Sequence, residues 1–196
     1  MATSKDQLFK FPRTRHLFDA GGSAVSRDDL LLDPAEEKLF YSTPRGRQQL
    51  VAIEEKVDGA NLGISISPED MSLRVQNRSH YVNSKTHRQF SSLDAWLAEH
   101  SAAIYDILEP GRHVLFGEWL CAKHSIHYTK LPGYFLAFDI YDARENKFMS
   151  WRERNRLLKE SDIPVVRQIA ETTISGRDEV CTTAIMHHIH SALVVI

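Results

Sequence analysis

Residues 50–66, LVAIEEKVDGANLGISI, carry two apolar runs separated by a lysine and an Asp-Gly pair. Before the lysine, Leu50, Ala52 and Glu54 alternate with Val51, Ile53 and Glu55. After it, Leu62, Ile64 and Ile66 alternate with small or polar residues. A period of two marks a β-strand, and Asp-Gly is common turn chemistry. The stretch predicts strand, turn, strand, with Lys56 at the end of the first strand. Leu73 and Val75 continue the period beyond the segment from Ser67 to Ser72, SPEDMS, which has the composition of a hairpin loop.

Working outward, the run from Ser92 opens a helix whose apolar stripe is Leu93, Trp96, Leu97, Ile104, Ile107 and Leu108, and Pro110-Gly111 stop it. Strands return at His113 to Trp119 and at Tyr134 to Tyr141, the latter nearly all apolar. Ser150-Trp-Arg-Glu153 fits a capping box, in which the Ser hydroxyl and the Glu carboxylate each satisfy an orphan N–H, so a helix from Trp151 to about Lys159 follows. Residues 1–45 mix Asp, Gly and Pro and predict an irregular lead-in with a short helix at Pro34 to Phe40. The order β-β-β-α-β-β-α predicts an α+β fold, mainly antiparallel sheets with flanking helices, rather than a doubly wound βαβ fold.

Composition bounds the function. The chain has 196 residues, 42% hydrophobic and 26% charged, which excludes disorder as its overall state. Its longest apolar runs, Tyr134 to Phe138 and Ala192 to Ile196, fall far short of the roughly 20 residues that span a bilayer, so no membrane partner is expected. The net charge of −2 recruits no polyanion globally, and any such site must be a local concentration of Lys and Arg. Cys121 and Cys181 form no disulfide framework, and the amino terminus lacks the apolar stretch of a secretory signal. An intracellular home, cytoplasmic or nuclear, is the expectation.

Lys56 is the residue with chemical promise. An amine nucleophile must be neutral to attack, and a free lysine with a pKa near 10.4 is mostly protonated at pH 7, a penalty of roughly 4–5 kcal/mol. A site that uses one must lower its pKa through desolvation or nearby cations. By itself Lys-Val-Asp-Gly is equally a surface charge before a turn. Candidate partners follow it. From Met71 to Phe90 the chain carries Arg74, Arg78, Lys85 and Arg88, with two His and no acid. Such a run suits phosphate groups or a nucleic-acid backbone, or else forms a solvated basic loop. Phe116-Gly-Glu-Trp119 puts one carboxylate, Glu118, beside aromatic surface, as a ribose or metal contact. Phe138 either stacks on a base or belongs to the core.

These segments in this order resemble the covalent nucleotidyltransferases, the superfamily of ATP-dependent RNA and DNA ligases and capping guanylyltransferases. Within it the chain is most similar to the RNA ligase 2-like branch. EKVDGANLG (55–63) matches the nucleophile motif, NRSHYV (77–82) the Arg-containing motif, FGEW (116–119) the ribose motif and YFLAFDIYD (134–142) the aromatic strand beside the base. AKHSIHY (122–128) is also characteristic of this branch. The resemblance covers roughly Phe11 to Pro164. It implies a ligase-type nucleotidyltransferase domain in which Lys56 attacks the α-phosphate of ATP and holds AMP. It also implies that Glu55 and Val57 border the nucleotide, Glu118 holds the ribose, Phe138 stacks on adenine, and Asn61 and Arg78 orient phosphates. ATP and Mg²⁺ or Mn²⁺ are the implied cofactors, with the metal ligands unassigned. AMP would pass to a 5′-phosphate RNA end, and a 3′-hydroxyl would displace it. Asn61 and AKHSIHY argue against DNA ligase or capping activity.

The pattern departs from the family at its end. Two later motifs are not found, one a strand with a Glu in an apolar-acidic-Gly setting and the other a Lys-x-Lys strand that grips phosphates. Lys159 is the last lysine. The expectation is a partial ligase domain over residues 1–166, truncated before those motifs, and a divergent tail over 167–196. The other possibility is a minimal variant whose phosphate cations come from elsewhere, such as Arg167 or Arg177. The alternative is a catalytically impaired module that binds nucleotide or RNA. His187, His188 and His190 with Cys181 do not match a zinc-finger spacing and are expected on a helix. His124 and His127 are expected as hydrogen-bonding or phosphate-contact groups, and Cys121 as a buried small hydrophobe.

Overall fold

The structure, a computed structural model, describes residues 8–19, 30–43, 45–124, 128–186 and 192–195, with side chains up to residue 182. Two compact units emerge, Met1–Phe11 with Asp58–Val165, and Pro12–Val57 with Val166–Ile196.

The first unit is built on a five-stranded sheet. Strands β2 (Ala60–Ile66), β3 (Leu73–Gln76), β4 (His113–Trp119), β5 (Phe135–Asp142) and β6 (Lys147–Phe148) lie in the order β3-β2-β4-β5-β6, every pair antiparallel. The loop from Ser67 to Ser72 is a hairpin, closed by the Ser67 N–H on the Ser72 carbonyl at 2.9 Å. Alternation sends Leu62, Ile64, Leu115, Trp119, Phe135 and Ile140 to one face. There they join Leu93, Trp96 and Ile104 of helix α2 (Leu93–Ile107) and Leu158 of helix α3 (Trp151–Leu158) in one buried core. Each such side chain contributes roughly 1.5–3 kcal/mol on burial. The Ser150–Glu153 capping box is formed as the sequence predicts. Beyond α2, the chain turns at Gly111, whose φ of +67° favours glycine, and its N–H bonds the Ile66 carbonyl at 2.9 Å. Cys121 is half-buried at the margin of this core rather than buried in it.

The opposite face of the sheet carries aromatic rings. Phe9 stacks on Tyr141 with centroids 3.5 Å apart, and Phe11 meets Phe116 at 5.0 Å and Phe138 at 5.2 Å. The Gln76 side-chain amide donates to the Phe9 carbonyl and ties this segment to β3. The described part of the lead-in before Pro34 forms no helix or extended strand, as expected, but Phe9 and Phe11 are part of the fold. Gly63 makes room for them, since a Cβ there would lie 2.7 Å from the Phe116 ring.

The second unit has helix α1 (Pro34–Tyr41) and a sheet in the order β7-β1-β8, from β1 (Leu50–Glu55), β7 (Gln168–Thr173) and β8 (Ala192–Val195), with helix α4 (Arg177–Met186) between the last two. Here the expected alternation in β1 is corrected. Val51, Ala52, Ile53 and Glu54 are all buried, so both faces of this strand, the central one of its sheet, are covered. Val51 and Ile53 pack with Ile174 and Val180, and Leu17, Phe18 and Tyr41 lie against them. Asp33 caps α1 in a capping box with Glu36, whose carboxylate also takes both arms of Arg15 at 2.5 and 2.6 Å. Among the described residues no helix is long and apolar enough to cross a membrane.

Candidate functional site

The predicted site residues fall in both units. Glu55, Lys56 and Val57 end the central strand of the second unit and follow it; Asn61, Arg78, Glu118 and Phe138 belong to the first. In the second unit, the Glu55 N–H donates to the Arg167 carbonyl at 2.9 Å, which extends the β1 ladder to the strand's last residue. Lys56 is exposed and Val57 is buried.

In the first unit the register brings two of these residues together. Asn61 stands directly opposite Glu118 across β2 and β4, so both side chains share the face away from the helices. One Glu118 oxygen, Oε1, accepts the Gly59 N–H at 3.1 Å, and the Asp58 N–H donates to the Tyr128 hydroxyl at 2.8 Å. Gly59 is thus bonded to Glu118 of FGEW, and Asp58 to Tyr128, the last residue of AKHSIHY. Gly59 is required for that approach, because a Cβ would lie 2.5 Å from the Trp119 carbonyl oxygen. A Cβ at Gly117 would come still closer to Phe135, 2.3 Å from its ring.

Phe138 is half-buried and lies where the β4–β5 register slips: Phe116 faces Asp139, whereas Gly117 faces Ala137. A bulge of this kind re-aims the side chain of the extra residue. Its carbonyl takes a hydrogen bond from Arg154 of α3, whose side chain is 1% exposed and also donates to Asn155 Oδ1. Burying a guanidinium is costly unless it is engaged in this way. Arg78 is exposed at the tip of the turn 77–80, where Asn77 Oδ1 accepts the N–H groups of Ser79 and His80 at 2.9 Å. No contact joins it to Asn61 or Glu118 in the described structure.

One other expectation is altered. Arg177, put forward as a phosphate cation, gives both arms to Glu37 at 2.6 and 2.5 Å and lies over the Phe18 ring at 5.3 Å. Its fork braces α1. Cys181 is half-buried, and His187, His188 and His190 lie outside the described residues, as does His127; His124 is exposed. Among the described residues no three His, Cys, Asp or Glu side chains gather into a metal cage.

Sequence reasoning missed Tyr128 as an anchor of the Asp-Gly turn, although AKHSIHY contains it, and missed Phe11 as the neighbour of Phe138. The Phe9-x-Phe11 spacing was the available signal for the second. Arg154 carried none, since a helical arginine is ordinarily solvated.

Comparison with known proteins places this geometry. No curated protein matches the sequence. Among solved structures, an archaeal ATP-dependent RNA ligase is similar in two crystal forms: TM-scores of 0.58 and 0.59 at 22% and 20% identity, over 95% and 97% of this chain and 45% and 47% of that one. A Naegleria gruberi RNA ligase mutant with ATP and Mn gives 0.52 at 20% identity, over 68% of this chain and 40% of its own. The chain therefore spans less than half the length of these relatives, and at such identities the likeness shows the fold: an α+β ligase-type nucleotidyltransferase domain. The family model for RNA ligase matches residues 49–190, a span that runs from the lysine strand into the closing segment where motif reading found no family pattern. With most of the chain inside that match, this protein belongs to the RNA ligase family.

Proposed function

We propose that the chain is an ATP-dependent nucleotidyltransferase domain that forms lysyl-AMP on Lys56 and transfers AMP to RNA ends. The observation that carries this reading is the pairing of Asn61 with Glu118 across β2 and β4, with Glu118 bonded to Gly59 of the same Lys-Val-Asp-Gly turn. Gly59 follows Lys56 by three positions in the chain.

In the reaction, the Lys56 amine attacks the α-phosphate of ATP. A P–N bond forms, the bond to the β-phosphate oxygen breaks, and pyrophosphate leaves; the amine proton passes to solvent. Glu118 holds the ribose and Phe138 stacks on adenine, with Glu55 and Val57 bordering the nucleotide through backbone groups. Asn61 and Arg78 orient phosphates. Asn61 and Glu118 offer oxygen donors, the ligand type Mg²⁺ or Mn²⁺ takes when it keeps most of its shell in water and phosphate. Such an ion supplies neutralisation of the triphosphate charge. AMP then moves to a 5′-phosphate RNA end, and a 3′-hydroxyl displaces it to seal the strand.

The test is enzyme adenylylation with α-labelled ATP and Mg²⁺, the wild type beside Lys56→Ala. Acid-stable label on the wild type and its loss in the variant is the expected result. A folded wild type that takes no label leaves the second reading, a nucleotide- or RNA-binding module without chemistry.

A further inference from the structure

The bulge at Phe138 is held from outside its own ladder. Ala137 and Ile140 both belong to the core beneath the helices, although they stand three residues apart. An unbroken strand returns to one face at every second residue. The bulge therefore leaves two consecutive residues, Phe138 and Asp139, outside that core, and both are half-buried. The Phe138 ring stands on the aromatic face, 5.2 Å from Phe11 and edge to face with it. A bulge displaced by one residue would turn the ring toward the core, since a one-place shift exchanges the two faces of a strand.

Three ties fix the bulge, and all come from helix α3 or the residues beside it. Before the helix, the Met149 N–H donates to the Ile140 carbonyl at 2.9 Å; after it, the Pro164 carbonyl accepts the Ala137 N–H at 2.8 Å. Between them, Arg154 of the helix donates to the Phe138 carbonyl itself. The first two are backbone bonds, and the third depends on one side chain. Arg154 is 1% exposed, and Asn155 Oδ1 accepts its Nε at 3.0 Å and its Nη2 at 2.8 Å, which fixes the plane of the guanidinium. The capping box of Ser150 and Glu153 sets the first turn of α3, from which Arg154 projects. Four residues on, and so on the same face, Leu158 fills its place in the core as an apolar side chain. At position 154 an apolar side chain would leave the carbonyl of the extra residue without this donor, whereas a buried charge with such an acceptor is tolerated.

We propose that Arg154 is a positioning residue for nucleotide recognition: by holding the Phe138 carbonyl it keeps the bulge in register and so aims the Phe138 ring at the base. The proposal rests on the reading above, in which Phe138 stacks on adenine. Arg154 is buried beside β5 and acts on the base only through Phe138.

The test is binding of α,β-methylene-ATP with Mg²⁺, an analogue whose α–β linkage the lysine cannot break, measured by isothermal titration calorimetry on the full chain. The variants are Phe138→Ala, Arg154→Met, Arg154→Lys and the double variant of Phe138→Ala with Arg154→Met, each with its thermal unfolding recorded. Phe138→Ala is expected to weaken binding about tenfold, the scale of one lost base–aromatic stack. Arg154→Met weakens it by a similar factor, and Arg154→Lys, which keeps a donor, recovers most of the loss. The double variant decides: it binds no more weakly than Phe138→Ala alone, because residues that act through one contact do not add. Losses that multiply overturn the proposal, as does an affinity that falls with Phe138→Ala and ignores Arg154→Met; both leave the adenine reading standing. An affinity indifferent to Phe138→Ala, or a wild type that binds no analogue, removes that reading and the proposal with it. If Arg154→Met loses its cooperative thermal transition, Asn155→Ala takes its place in the cycle with the same expectations, since it loosens the guanidinium and keeps the charge.

Discussion

In the first unit β2, β3, β4 and β5 follow one another within residues 58–165, and their inner faces meet two helices in a core of seventeen buried side chains. The second unit brings β1 against strands from far along the chain, Leu50 opposite Thr173 and Ala52 opposite Val195, and its described core has four buried side chains. Loop length is a small part of that contrast, because each doubling costs only about 0.6 kcal/mol. Each buried side chain contributes more than that, roughly 1.5–3 kcal/mol. The chain passes from one unit to the other between Val57 and Asp58, one residue after Lys56.

The largest test of this contrast is a matched pair. Ile64→Ala in the first unit and Ile53→Ala in the second remove equal volume from fully buried positions, each at about 2–5 kcal/mol. In hydrogen exchange, Ile53→Ala should speed the β1 and β7 amides while β2 and β4 keep their protection. Equal loss in both sheets would mean that the two units open together. Next is Gly117→Ala, which forces a methyl into the Phe135 ring and should cost about 1–3 kcal/mol in the first unit, read as a lowered Tm.

A third test is specific to the second unit. Hydrogen bonds from Arg177, joined by the Tyr41 hydroxyl, hold the Glu37 carboxyl at about 2, against an ordinary 4.5, although burial pushes it up. A carboxyl depressed by folding stabilises fully above its unfolded value, and that stability is lost as pH falls toward the folded one. The second unit should weaken between about pH 4.5 and 2, and Glu37→Gln should flatten that slope while lowering stability at pH 7 by about 1.5–2 kcal/mol. An unchanged acid profile in the variant would remove the Glu37–Arg177 pair as a brace. The smallest effects belong to the caps. Asp33→Ala and Ser150→Ala each remove one capping box and should each cost about 1 kcal/mol in thermal unfolding. Here the two units should behave alike, since a cap acts on its own helix.

Local pattern made most of the first unit legible. The alternation of Leu62, Ile64 and Ile66, the SPEDMS loop, the Ser150–Glu153 box and the stop at Pro110-Gly111 each specify a nearby backbone state, and each is found where the chain predicts it. The motif residues Lys56, Asn61 and Glu118 could also be read in order, and the register sets Asn61 against Glu118. The second unit was less legible. A strand buried on both faces and a strand buried on one differ only in what lies across them, so the alternation did not reveal that Val51, Ala52, Ile53 and Glu54 are all buried.

Backbone states over a few residues were thus written in the chain itself, because dihedral preference, side-chain period and capping act between neighbours. The order of strands, the aromatic face made by Phe9 and Phe11, and the bulge at Phe138 with Arg154 on its carbonyl were settled only in three dimensions. Each joins residues distant in sequence whose contact energies no local pattern encodes.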